Sequence, residues 1–358
     1  MPVPKTGALP LGDALIVFYR SNYTKNIGNY QRLPCMTRVN QLQFSSSMSK
    51  LSADPQDYIV PLSINGLDGR MMRVPAPNKK TDREILMLYG HHALIERWWG
   101  LVQNYCQYGA VTLPDLPGFG GMDSFAKIGQ KPTIDNYADY LAAFIKLRYK
   151  RKEITIVAIS FGFVVATRML QKYPELAKRV TIMISIVGFM HRDDFLFKPR
   201  QRRVFRLGTR LFATRPVAFV IRYAFLTPYV LKTIYAKLPA SKRRFIDVDP
   251  LEYAEMMEFE VKLWQSNDVR THWLTTYEFL NLDNCDRRVE VPVWHIAAKY
   301  DHYFDNHTVK QHMLVVFSEY HQVLTNTKAH TPSVVADKKG LAVLLPRKVR
   351  QVLAKKTT

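Results

Sequence analysis

Ser160 closes the run Ile154-Thr155-Ile156-Val157-Ala158-Ile159, with Ala158 two residues before it and Gly162 two after. The run is apolar and rich in β-branched residues, as a strand buried on both faces of a parallel sheet requires. The stretch from Phe161 to Tyr173 then has helical length and stops at Pro174. At such a junction a serine can be held on a sharp elbow with its hydroxyl exposed over the sheet edge. Small residues are needed on either side because strand and helix backbones approach closely there. The chemistry on offer is nucleophilic attack on an acyl carbon. A serine hydroxyl is a poor nucleophile at neutral pH, so it requires a base to take its proton and return it to the leaving group. The competing reading is a buried serine that only caps the helix after it.

Other reactive residue types carry less. His91 and His92 are neighbours on a loop with no carboxylate beside them, a poor arrangement for ligating one ion, so neither metal nor cofactor is expected. Cys35, Cys106 and Cys285 are odd in number and fall at no ligand spacing. A disulfide framework and a zinc module are both disfavoured, and a reducing, cytoplasmic compartment is the expectation.

The elements that must position Ser160 are legible around it. Tyr58-Ile59-Val60-Pro61-Leu62 and Met71-Met72-Arg73-Val74 flank Asn65-Gly66 and Asp68-Gly69, which punctuate a hairpin. Strand-length apolar runs at Glu84–Tyr89, Ala110–Leu113 and Val180–Ile184 alternate with helical stretches at about 94–105 and from Thr133. The rhythm resumes at Val291–Ala298 and Gln322–Thr325 and ends in a basic helix from about Asp337. This alternation predicts an α/β fold with a doubly wound, mostly parallel sheet. Residues 54–190 and 291–358 form the expected core, 191–290 a mostly helical insertion, and 1–53 an N-terminal extension without sustained periodicity. Pro2, Pro4 and Pro10 argue against a secretory signal. No stretch reaches the roughly 20 apolar residues of a bilayer span. The longest candidate, Pro216–Val230, is broken by Arg222 and Pro228.

With these residues in place the chain resembles the α/β-hydrolase superfamily. Tyr89-Gly90-His91 stands where that family has His-Gly-X after its third strand. Asp115-Leu116-Pro117-Gly118-Phe119-Gly120 looks like the family's glycine-rich turn after the fourth. The resemblance implies the chain order serine, acid, histidine, which Ser160, Asp301 and His330 meet. It assigns Ser160 as nucleophile, His330 as base and Asp301 as the carboxylate that orients the imidazole, with Asp305 the competing acid. It also places the oxyanion hole at the backbone N–H groups of His91 and Phe161, with Gly90, Ala158 and Gly162 shaping the turn. Three residues depart from the pattern: Ala158 replaces the commoner Gly, Phe163 stands where a second Gly often follows, and Tyr89 replaces His. Ser160 itself argues against an epoxide hydrolase or haloalkane dehalogenase, which would carry aspartate at the elbow.

Of the 358 residues 51 are Lys or Arg and 30 are Asp or Glu, a balance of +21. Between His191 and Arg244 stand 14 bases against Asp193 and Asp194, so more than half of the surplus lies in one segment, interleaved with aromatic residues. Two readings follow. One is an ordinary cap, with its aromatic face over an acyl pocket and its charges solvated or paired with the acidic stretch Glu252–Glu260. The other is contact with an anionic membrane surface. Nucleic acid is disfavoured because no nucleic-acid fold motif accompanies the charge. The function expected is a serine hydrolase cleaving a carboxylic ester of a small apolar substrate. Carbon–carbon bond hydrolase, amidase and acyltransferase share the same residues, and a non-catalytic binding or membrane-associated protein is the rival of another class.

Overall fold

The computed structural model describes residues 52, 54–77, 82–237, 250–327 and 338–355. The expected extension over 1–53 lies almost wholly outside the described residues, as does His330.

Eight strands form one sheet: β1 Ile59–Ile64, β2 Leu67–Val74, β3 Glu84–Leu88, β4 Ala110–Pro114, β5 Ile154–Ile159, β6 Val180–Ile186, β7 Val293–Ala298 and β8 Tyr320–Thr325. Their order is β1-β2-β4-β3-β5-β6-β7-β8. Pairing is antiparallel for β1 with β2 and β2 with β4, and parallel from there on. The hairpin turns at Asn65-Gly66, both with positive φ (51° and 80°), the conformation that matches strand twist in a two-residue loop. Asp68-Gly69, read as turn punctuation, lies inside β2 instead. A Cβ on Gly69 would stand 2.5 Å from Met122 Cγ, so the glycine there makes room for a core side chain.

The helices are α1 Trp99–Tyr105, α2 Ile134–Tyr149, α3 Phe161–Lys172, α4 Pro174–Ala177, α5 Pro199–Phe212, α6 Arg215–Val220, α7 Pro228–Lys237, α8 Pro250–Ser266, α9 Val269–Phe279, α10 Asn306–Val316 and α11 Arg347–Ala354. Thr133 caps α2 by accepting the Asn136 N–H at 3.2 Å. The helix expected from Leu94 opens with a 3₁₀ turn, Ile95–Trp98. The one expected from about Asp337 is a 3₁₀ turn at Gly340–Leu344 followed by α11, with Pro346 at the break, where a residue without an N–H cannot continue a helical ladder.

Strands β3 and β5 are buried along their whole length, the reason both read as unbroken apolar runs. Helices α5 to α9, between β6 and β7, hold a second apolar cluster of their own that includes Leu231, Met257, Trp264 and Trp273. The Pro216–Val230 stretch divides into α6, a π-helical turn at Ile221–Phe225 and α7. No single helix among the described residues is long and apolar enough to cross a membrane; Arg215–Phe225 and Pro228–Tyr235 reach that length only together, and they are bent by 80°.

Candidate active site

The N–H of Ser160 donates to Ile186 O at 2.9 Å, extending the β5–β6 ladder by one rung. The chain then turns with φ 46° and ψ −110° at Ser160, and α3 begins at Phe161. A non-glycine residue there carries strain on the order of 1–3 kcal/mol, held in place by the buried strand and helix on either side. Its side chain makes no capping hydrogen bond to α3. The hydroxyl is therefore not spent as a helix cap, and the residue is only partly buried. Three of the five positive-φ non-glycine residues among the described ones, His92, Ser160 and Val187, lie just past the carboxyl ends of β3, β5 and β6. That edge is where ligands bind in open α/β sheets.

Close approach accounts for the small residues. A Cβ on Gly162 would stand 2.6 Å from Tyr89 O and 2.8 Å from Leu88 Cβ, so only glycine lets α3 pass the end of β3. A Cβ on Gly90 would meet Ser160 Cβ at 3.4 Å, which places Tyr89-Gly90-His91 directly against the elbow. The N–H groups of His91 and Phe161 donate to nothing among the described residues. Two departures from the family pattern have their own packing. Phe163 is fully buried, and the space it needs comes from Gly188, where a Cβ would lie 2.5 Å from Phe163 Cδ1. The Tyr89 hydroxyl donates to Asp115 Oδ1 at 3.1 Å and accepts the Leu116 N–H at 2.7 Å, tying β3 to the turn after β4. Asp115 is itself fully buried and paired with Arg70 at 3.1 Å. Burial pushes its carboxyl up to about 8, against the opposing pull of Arg70. A Cβ on Gly120 would fall 1.9 Å from Asp115 Oδ1. This aspartate organises a turn.

The two candidate acids stand on the segment between β7 and α10. Asp305 is the N-cap of α10, and its Oδ2 accepts the Thr308 N–H at 3.0 Å and hydroxyl at 2.5 Å; these bonds hold its carboxyl below the usual range. Asp301 Oδ1 accepts the N–H groups of Tyr303 (2.8 Å) and Phe304 (3.3 Å). A feature not singled out from sequence supports this segment. Fully buried Asp194 accepts the N–H groups of Met190 and His191, meets His312 Nδ1 at 2.5 Å, and its carbonyl accepts the Asp305 N–H at 2.8 Å. It binds the loop after β6 to α10.

Helix α9, from the insertion, brings His272, Thr275 and Phe279 to the elbow region. Their i, i+3, i+7 spacing puts them on one helix face and was the available signal. The Thr275 hydroxyl donates to Thr271 O, so His91 Nε2 donates to it at 2.7 Å. His92 Nδ1 accepts from Asn267 Nδ2 at 3.1 Å. The His272 ring lies 4.6 Å from that of His91 and 4.8 Å from that of His92, and the Phe161 ring lies 5.1 Å from that of Phe279. Neither His272 nitrogen nor His92 Nε2 has a hydrogen-bond partner among the described residues, although all three atoms are buried. Burial lowers all three imidazoles, His272 to about 3, so they are neutral. Among the described residues no three His, Cys, Asp or Glu side chains converge as a metal-ligand set.

The sequence model of the alpha/beta hydrolase fold matches residues 85–313. No curated protein sequence matches the chain. Among solved structures it is similar to an esterase from Thermogutta terrifontis (15% identity, 82% of this chain and 96% of that one, TM-score 0.55). It is also similar to the enol-lactonase of Burkholderia xenovorans LB400 (10%, 83% and 100%, 0.57) and to an epoxide hydrolase of Bacillus megaterium (14%, 82% and 98%, 0.55). At such identities the likeness is one of fold.

Proposed function

The chain belongs to the alpha/beta hydrolase fold family, and we propose that within it the protein is a serine hydrolase that cleaves a carboxylic ester with an apolar acyl or alcohol part. The observation that carries this reading is the strained backbone of Ser160 at the β5–α3 junction, with a side chain not used as a cap. Ser160 Oγ would attack the ester carbonyl while His330, which follows β8 in the chain, accepts its proton and later delivers it to the leaving alkoxide. Asp301 would fix the imidazole tautomer. Its competitor Asp305 is committed to capping α10, which favours Asp301 for that role. The N–H groups of Phe161 and His91 would receive the negative charge of the tetrahedral intermediate, each worth on the order of 3 kcal/mol of activation free energy. The rings of Phe119, Phe161 and Phe279 pack on one another, buried beside the elbow, and make its surroundings apolar, which agrees with an apolar acyl or alcohol part. Labelling with a fluorophosphonate probe tests the reading. The native chain should react, and Ser160→Ala should not while keeping its melting temperature. Equal turnover of an activated ester by the two proteins would remove Ser160 from the chemistry.

A further inference from the structure

From Phe195 to Ile246 the sequence contains no acidic residue, and α5 and α6 occupy the first half of that stretch. Helix α5 turns Phe205, Thr209 and Phe212 inward; the Phe212 ring lies 4.8 Å from that of Trp273 on α9, so this side is already occupied. The opposite side carries Val204, Leu207 and Leu211, which are 65%, 69% and 56% exposed. Their spacing of three and four residues makes them one continuous apolar stripe. Arg200, Arg203 and Arg210 are exposed along its flanks. On α6 and the turn after it Phe219, Val220 and Tyr223 are at least half exposed, and exposed Arg215 stands at the start of that helix. Among the described residues Arg200, Arg203 and Arg215 form no ion pair, whereas Arg202 is paired with Asp193 and Arg210 bonds to Tyr277. Of the 15 large apolar residues exposed among the described ones, nine fall between Leu196 and Leu251, so the exposure belongs to this region and is not scattered.

We propose that the α5–α6 face docks onto the surface of an anionic membrane, its apolar stripe entering the boundary between headgroups and acyl chains while the flanking arginines meet lipid phosphate. The composition selects this occupant. A second copy of the chain would set the same acid-free, arginine-rich face against itself, and like charges would repel. A nucleic acid would satisfy the arginines but leave the leucines in water. A bilayer surface meets both, an apolar layer beneath a sheet of negative charge.

Co-sedimentation of the full chain with vesicles of phosphatidylcholine and phosphatidylglycerol in equal parts, and with phosphatidylcholine alone, tests the proposal. The chain should bind the anionic vesicles and release partly as salt rises. Neutralising Arg200, Arg203 and Arg215 to Gln should weaken partition roughly 100-fold, since each base near such a surface contributes about a fivefold factor. Leu207→Gln with Leu211→Gln should abolish the salt-resistant part, and the emission of Leu207→Trp should shift to the blue on adding vesicles. All these positions are exposed, and unchanged melting curves would verify folding. Ser160→Ala should bind like the native chain, so the outcome is independent of the catalytic reading. The proposal fails if the chain does not bind anionic vesicles at low salt, or if both sets of substitutions leave binding unchanged. It also fails if the leucine pair proves to be needed for self-association without lipid.

Discussion

Two carboxylates four residues apart differ sharply in what holds them. Asp305 gives two bonds' worth of acceptor capacity to Thr308 at the first turn of α10, whereas Asp301 is braced by the N–H groups of Tyr303 and Phe304. Asp301→Asn should lower turnover of an activated ester by about 10⁴, the scale of loss when a triad imidazole is left in the wrong tautomer. Asp305→Asn should change turnover far less, and Asp305→Ala, which removes the cap, should cost about 1 kcal/mol of stability. Melting curves and kcat measured on these variants separate the effects. A reversed ranking would move the orienting role to Asp305.

At the scale of elements, the decisive contact is the passage of α3 across the end of β3. Gly162 has no room for a methyl group against Tyr89 O and Leu88 Cβ, and neither neighbour is the far end of a flexible chain. Gly162→Ala should therefore destabilise the fold by about 2–3 kcal/mol, as overpacking against backbone does. It should also lower kcat in the molecules that remain folded, because any relief shifts Tyr89-Gly90-His91 away from the elbow. A denaturant midpoint and a rate at low temperature would read the two consequences. Unchanged stability would mean that the strand end yields without cost.

The whole molecule carries a set of imidazoles buried in the neutral form. His91, His92, His272 and His295 all have proton affinities lowered by burial, His272 to about 3 and His295 to about 4. In the unfolded chain each would titrate near 6.5. Below that pH the unfolded state binds more protons than the folded one, so stability is complete above about 6.5 and declines as pH falls toward 3 to 4. The slope approaches about 1.4 kcal/mol per pH unit for each fully affected group. Asp115, raised by burial to about 8, and Glu278, also raised by burial, work in the opposite sense, but they are two groups against these four and His191, which burial lowers as well. Urea midpoints should therefore fall as pH is lowered from about 7 to about 5. His272→Phe should make that fall shallower and raise stability at neutral pH by about 1 kcal/mol, since two unpartnered buried nitrogens are removed.

The alternation of apolar runs and helical stretches was enough to determine the parallel sheet, because strands buried on both faces, such as β3 and β5, cannot avoid showing it. The elbow was legible for a related reason: a strand that must turn sharply into a helix needs small neighbours, and Ala158 and Gly162 advertise that need locally. What reached the site from far along the chain was not legible. His272 and Thr275 sit on a helix between β6 and β7; their spacing puts them on one face, but the register of that face against His91 is set by packing with residues far along the chain. The roles of Tyr89 and Phe163 likewise emerged only in three dimensions, where Asp115 and Gly188 supply the partner and the space. Charge was countable in the sequence, but its disposition was not. Helix α5 could have turned its leucines inward over a pocket, and only the tertiary packing of Phe205 and Phe212 against the protein left Val204, Leu207 and Leu211 facing solvent beside Arg200 and Arg203, which form no ion pair among the described residues.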